Sequence, residues 1–256
     1  MASHLRCENI VVRFGGVVAC DNVSLNVEEG KVVGLIGPNG AGKTTLFNVL
    51  SRFQEHDEGR VTLNGKSIDR RRPDEMIGLG MARTFQNINL FHGQSTLDNI
   101  LIGAHRLTGN PVSNLYSLAS ARRRERDLER RAGMIAEMLR ISGELDNAVK
   151  NLSYGVQKRV EIARALAGEP RIILLDEPVA GCNDDETAEL RGVIQRVNRE
   201  FGITMLLVEH DMSMVMNVCD YIYVVNFGAN LAEGTPAQVR ADPKVIAAYL
   251  GDEVDA

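Results

Sequence analysis

Long apolar runs are missing from this chain of 256 residues: none approaches the eighteen or so that a membrane-crossing helix needs. The N-terminus also lacks the charged, apolar and small-residue order of a signal peptide, so any membrane role has to be reached through a partner. Cysteine is scarce. Cys7, Cys20, Cys182 and Cys219 lie far apart, with no Cys-x-x-Cys pair and no nearby histidine set, which excludes the usual zinc and redox motifs and suits buried thiols in a reducing compartment. An excess of positive charge is missing too. The net charge of -5 argues against general electrostatic attraction to nucleic acid, so no nucleic-acid partner is expected. There is no internal repeat and no low-complexity linker. What remains, 44% apolar and 25% charged residues, is the composition of a folded globular protein.

The first sixty-five residues read as short strands over Leu5 to Phe14, Val17 to Ala19, Val23 to Val27, Val32 to Ile36 and Arg60 to Leu63, separated by Gly, Asn and Asp turn signals. Val32 to Ile36 is nearly all apolar, as a strand covered on both faces is. A helix follows, with Leu46, Val49, Leu50 and Phe53 at the spacing of one buried face. From about 88 to 158 helices replace strands, around Thr96 to Leu107 and Ser117 to Arg140, with a loop near Gly109-Asn110-Pro111. Apolar strands return at Arg171 to Leu175 and Ile203 to Val208, alternating with helices as in a parallel sheet with crossovers. Strand Tyr221 to Val225 and a helix opened by Thr235-Pro236-Ala237-Gln238, a capping-box spacing with proline first, complete the chain.

Between the buried strand and its helix lies Gly37-Pro38-Asn39-Gly40-Ala41-Gly42-Lys43-Thr44, followed by Thr45. A glycine-rich loop at a helix N-terminus turns backbone N–H groups toward phosphate oxygens, which bulky side chains would obstruct. Lys43 adds a charge for the β- and γ-phosphates and Thr44 a hydroxyl for magnesium, so the segment predicts binding of ATP with Mg2+. Hydrolysis needs a second magnesium anchor and a group that activates water. The strand ending in Asp176-Glu177 supplies two carboxylates at the carboxyl end of a buried strand: Asp176 for the metal and Glu177 as general base.

Leu152-Ser153-Tyr154-Gly155-Val156-Gln157, ahead of Asp176-Glu177, resembles the signature motif of ABC-type ATPases. Ser153 is suited to cap a helix whose Val156, Val160, Ala163 and Ala167 share a face, and the helix start is itself an anion site. The resemblance implies further roles. Gln86 in Arg83-Thr84-Phe85-Gln86 matches the Q-loop, which contacts magnesium or the attacking water. His210 matches the switch histidine that hydrogen-bonds the γ-phosphate, and Phe14 the aromatic that stacks on adenine. Ser153 and Gly155 are implied to face nucleotide held by a second subunit. Residues 83–91, 221–228 and 248–251, and the D-loop Ala180-Gly181-Cys182-Asn183, narrow the likeness to ATP-binding subunits of branched-chain amino acid importers of the LivG type. Val156 departs from the commoner Gln or Glu of the signature, which predicts a slightly weakened but working site. Cys182 replaces a usual leucine.

The fold implied is α/β, a P-loop ABC ATPase: a RecA-like, mostly parallel sheet core with an N-terminal antiparallel β subdomain and an inserted helical subdomain. It forms one domain over 1–256, with 1–87 and 159–256 as ATP-binding core and 88–158 as helical insert. The implied partners are a second ATP-binding subunit, the same or a different chain, membrane-spanning permease subunits, and indirectly an external substrate-binding protein. The expected location is the cytoplasmic face of the membrane, held there peripherally through the permease. Leu90, Phe91 and Leu97 are candidates for the permease-docking groove or for core, and Met212, Met214 and Met216 read as core. The arginines between Arg122 and Arg131, interleaved with Glu125, Asp127 and Glu129, read as a solvated helix with local ion pairs. Urea import and lipopolysaccharide export are sister readings. An ABC ATPase that moves nothing, and a P-loop kinase or GTPase, are the rivals from other classes.

Overall fold

The structure, a computed structural model, describes residues 3–105 and 118–251. Its centre is a six-stranded sheet in the order β10-β9-β3-β8-β7-β6, from β3 (Val32–Ile36), β6 (Met81–Arg83), β7 (Ile172–Asp176), β8 (Thr204–Val208), β9 (Tyr221–Asn226) and β10 (Ala229–Gly234). All neighbours are parallel except β9 and β10. A four-stranded antiparallel sheet, β2-β1-β4-β5, joins β1 (Ser3–Phe14), β2 (Val17–Glu28), β4 (Glu58–Leu63) and β5 (Lys66–Ser67).

The two-residue period of an extended chain explains the layering. In β3, Val32 and Ile36 enter one hydrophobic core with the helices, while Val33 and Leu35 enter the other with the antiparallel sheet and α1 (Lys43–Leu50). Both faces are therefore covered, as the continuous apolar run requires. Among the described residues the remaining α-helices are α2 (Thr96–Gly103), α3 (Leu118–Met138), α4 (Tyr154–Ala167), α5 (Asp184–Phe201), α6 (Met212–Val218), α7 (Pro236–Ala241) and α8 (Pro243–Gly251). Helix α4 runs unbroken across residues 158 and 159. The capping box of Thr235 and Gln238 opens α7 with Pro236 at its first turn.

Several expectations need correcting. The segments 17–19 and 23–27 are one strand, because Asn22 adopts φ 60° and the register of β2 slips between Val23 and Cys20, so the turn-like Asp21-Asn22 forms a bulge. Phe53 is not on the buried face of α1. Ser51 Oγ donates to Phe47 O at 2.8 Å and Arg52 turns left-handed at φ 66°, which ends the helix and leaves Phe53 54% exposed while Phe47 fills the core. Helix α2 stops at Gly103, where a β-carbon would lie 1.9 Å from Arg164 O of α4. The loop expected at 109–111 lies outside the described residues. Cys182 is half-buried; the other three cysteines are buried. Leu90 and Met214 are core, and Leu97, Met212 and Met216 pack against it, whereas Phe91 is exposed. Asp127 pairs with Arg130, and Arg131 reaches Glu169 outside the helix.

His4 gives the fold a pH dependence. It is buried on β1, with Nδ1 2.7 Å from Thr204 Oγ1, and burial pushes its pKa below the ordinary 6.5, with Glu29 opposing. The unfolded chain takes up a proton near pH 6.5 that the folded chain resists, so this contribution is present above that pH and lost as pH falls through it. Denaturant melts at pH 7.5 and 5.5 should show a smaller acid-side loss for His4→Asn than for the parent chain. Equal losses would rule out His4 as a source.

Candidate active site

The phosphate-loop geometry rests on two glycines that other backbones crowd. At Gly37 (φ 155°) a β-carbon would lie 2.0 Å from Val225 O of β9, and at Gly42 (φ 94°) 2.3 Å from Ala19 O of β2. Gly42 is the N-cap of α1 in the left-handed region, so the loop passes from β3 straight into the helix start, where backbone N–H groups are left without helical partners. Lys43 is buried, its Nζ donating to Gly37 O at 2.6 Å and Pro38 O at 2.7 Å, while Asn39, Gly40 and Thr44 are exposed and Thr45 half-buried. Phe14 ends β1, half-exposed, paired with Val17 across the hairpin that starts β2.

At the carboxyl end of β7, Asp176 is 6% exposed and accepts from Arg83 Nη2 at 2.9 Å. Arg83 Nη1 also reaches Asn48 Oδ1 at 2.7 Å and Ser51 Oγ at 2.6 Å, in the last turn and at the C-terminal cap of α1. Its guanidinium lies 4.8, 5.2 and 5.1 Å from the ring centres of Phe47, Phe53 and Phe85. Burial raises the Asp176 pKa, and the Arg83 hydrogen bond and charge pull it back.

Glu177 follows in the left-handed region at φ 44°, a strained backbone for a side-chain-bearing residue and of the sort that accumulates at active sites. Gln86 Nε2 donates to Glu177 Oε2 at 2.7 Å, and His210 Nδ1 lies 3.9 Å from the same oxygen. Gln86, Glu177 and His210, far apart in sequence, thus converge. Beneath them the fully buried Glu209 accepts from the backbone N–H groups of Val179 at 3.0 Å, His210 at 3.1 Å and Asp211 at 3.3 Å, tying the segment after β7 to the one after β8. Burial raises its pKa, opposed by those donors.

Helix α4 anchors the Gln86 loop: Lys158 Nζ donates to Gln86 O at 2.9 Å, and Glu161 Oε1 accepts from Phe85 N at 3.2 Å. Ser153 caps α4 by accepting from Val156 N at 3.4 Å. The side chain of Val156 packs against the core, which accounts for an apolar residue there. Ser153 and Gly155 are joined to α5 by Glu186 rather than to the Glu177 cluster. Among the described residues no group of three or more His, Cys, Asp or Glu side chains is arranged to hold a metal by itself. Arg83, Lys158, Glu186 and Glu209 are the residues that sequence reasoning missed. Only Glu186 carried a local signal, the capping-box spacing from Asn183, and that signal said nothing of α4.

The sequence profile of the family described as ABC transporter matches residues 20–180. The chain belongs to this family. A second profile, branched-chain amino acid ATP-binding cassette transporter, matches residues 229–255 of the cassette. Over 97% of its length the cassette is 42% identical to the high-affinity branched-chain amino acid transport ATP-binding protein BraF of Pseudomonas aeruginosa, covering 98% of that protein. It is 40% identical, with the same coverage, to LivG of Escherichia coli, which carries the same description. Among solved structures it matches an ATP-binding cassette of an ABC transporter in its ADP conformation, with a TM-score of 0.85 and 35% identity over 98% of this chain and 100% of that one. A bacterial ABC transporter cassette solved as a dimer matches with a TM-score of 0.75 and 25% identity, over 91% of this chain and 98% of that one. The fold is thus the α/β cassette expected from sequence, and its activity is ATP hydrolysis that powers transport.

Proposed function

We propose that this cassette is the ATP-hydrolysing subunit of an importer for branched-chain amino acids. The convergence of Gln86, Glu177 and His210 beyond the strand ends carries the catalytic part. The profile match at residues 229–255 and the descriptions of its relatives support the substrate class.

The loop from Gly37 to Thr44 cradles the phosphates, with Lys43 on the β- and γ-phosphates, Thr45 beside them and Phe14 against adenine. The oxygen donors suit magnesium, which takes few protein ligands and completes its shell with water and phosphate: the buried Asp176 carboxylate already balances a cation, the Arg83 guanidinium, and Thr44 brings an exposed hydroxyl in the first turn of α1. Thr44, Asp176 and Gln86 are assigned as the groups that hold it. Bound there, Mg2+ neutralises phosphate charge. Glu177 takes the proton of the water that attacks the γ-phosphorus, Gln86 orients that water through the hydrogen bond it shares with Glu177, and His210 donates to a γ-phosphate oxygen. The bond to the β-phosphate oxygen breaks and ADP leaves.

Positive potential on the far side of the γ-phosphate comes from a second cassette, whose Ser153 and Gly155 present the start of α4; the two chains complete each other's sites. The permease is reached through the groove of about 290 Å³ that Phe53, Met76, Phe85 and Arg164 line beside the Gln86 loop, so docking bears on the catalytic glutamine. No described helix is long and apolar enough to cross a membrane, which accords with peripheral attachment through that permease. An external binding protein is the proposed source of substrate. Uptake of labelled leucine should fall to background in cells lacking this subunit and return with the intact gene; unaffected uptake would sink the amino-acid assignment.

A further inference from the structure

The start of α4 is already bound to an anion, and that anion is a side chain of the same subunit. Glu186, in the first turn of α5, spans two helix ends. Its Oε2 accepts from Asn183 N at 3.2 Å, closing the capping box of α5. Its Oε1 accepts from Ser153 Oγ at 3.1 Å and Gly155 N at 3.0 Å. These donors hold the carboxyl below the usual carboxylate range, the Gly155 N–H contributing most.

The close approach depends on glycine. A β-carbon at residue 155 would sit 2.7 Å from both Cγ and Cδ of Glu186, so only a residue without a side chain lets the carboxylate settle over the helix end. A second, less crowded contact lies beside it: the Tyr154 ring lies against Gly181, where a β-carbon would be 3.1 Å from Cε1. The segment Ala180–Asn183 and the start of α4 therefore form one packed unit, with Glu186 as its ionic clasp.

We propose that Glu186 occupies, within each subunit, the position that the γ-phosphate of the partner's ATP takes up when two cassettes close. This rests on the two-cassette reading above. Two anions cannot share the Gly155 N–H and the Ser153 hydroxyl, so closure requires the carboxylate to swing away on its χ angles. Because Glu186 also holds Asn183, that swing loosens the start of α5 and reports nucleotide capture to the segment that follows Glu177. The clasp opposes closure until ATP is loaded across the interface and keeps the signature helix satisfied otherwise.

The test uses the full chain carrying Glu177→Gln to stop turnover. Glu186→Gln retains a capping-box residue but removes the charge, and Glu186→Ala removes both. Both should associate in saturating ATP and Mg2+ at about tenfold lower protein concentration than Glu177→Gln alone, as read by sedimentation. Unchanged or weaker association in both variants overturns the competition. Without nucleotide, exchange of the Gly155 amide should quicken in Glu186→Ala; if it does not, the carboxylate does not hold the helix end and the proposal fails whatever the association shows. If neither Glu177→Gln nor the double variants associate with ATP while Gly155 exchange still responds, the two-cassette reading falls, and the competition with it, whereas the clasp contact stands.

Discussion

Glu177→Gln should bind ATP about as tightly as the parent chain while steady-state turnover falls by roughly a hundred- to ten-thousandfold, the usual worth of a positioned general base. The amide matches the carboxylate in shape, so the hydrogen bond with Gln86 can persist through the remaining carbonyl oxygen. Only proton acceptance is lost. The left-handed backbone at Glu177 is tied down by Glu177 N donating to Val208 O at 2.9 Å, a contact that does not depend on side-chain charge. Nucleotide binding and phosphate release measured on the same sample separate the two effects. Turnover at the parent rate would remove Glu177 as the base, and loss of binding would mean that the substitution had disturbed the loop itself.

The second large effect concerns stability. Arg83→Met strands a buried carboxylate, since both Arg83 and Asp176 side chains are less than a tenth exposed. Removing one member of a buried pair costs about 3–5 kcal/mol. For a chain of this size that lowers the melting temperature by roughly 10 °C. The loss also includes the contacts of the guanidinium with three phenylalanine rings and with Asn48 and Ser51. Adding Asp176→Asn should restore part of the stability, because the amide no longer carries a buried charge. Two substitutions at one contact are not expected to be additive. Thermal melts of the single and double variants decide the matter: a single variant that melts within a degree or two of the parent would show that the pair contributes nothing net to the fold.

The legible parts of this protein were those whose chemistry is local. A glycine loop between an apolar strand and an amphipathic helix, a serine N-cap at residue 153, the capping box at Thr235 and the buried, mostly apolar strands β3, β7 and β8 each announce themselves within ten or so residues, because turn dihedrals, cap hydrogen bonds and two-sided burial constrain adjacent positions. Strands β5, β6 and β10 were missed, being short or polar and held by sheet neighbours rather than by their own pattern. The end of α1 is not legible in the same way, because Phe53 keeps the helical spacing although the chain has already turned at Arg52.

From its own order the sequence determined the phosphate loop, the paired carboxylates, the signature helix and the α/β class, since each is written in neighbouring residues. Only the tertiary structure decided what holds them. Arg83 and Asp176 are 93 positions apart, Gln86 and Glu177 91, and Glu186 reaches Gly155 across 31. Ion pairs and shared protons depend on distance in space, and a polar side chain carries no mark of which distant partner will desolvate with it. Packing of the sheet and of α4 against α5 chooses those partners, and with them the resident anion at the start of the signature helix.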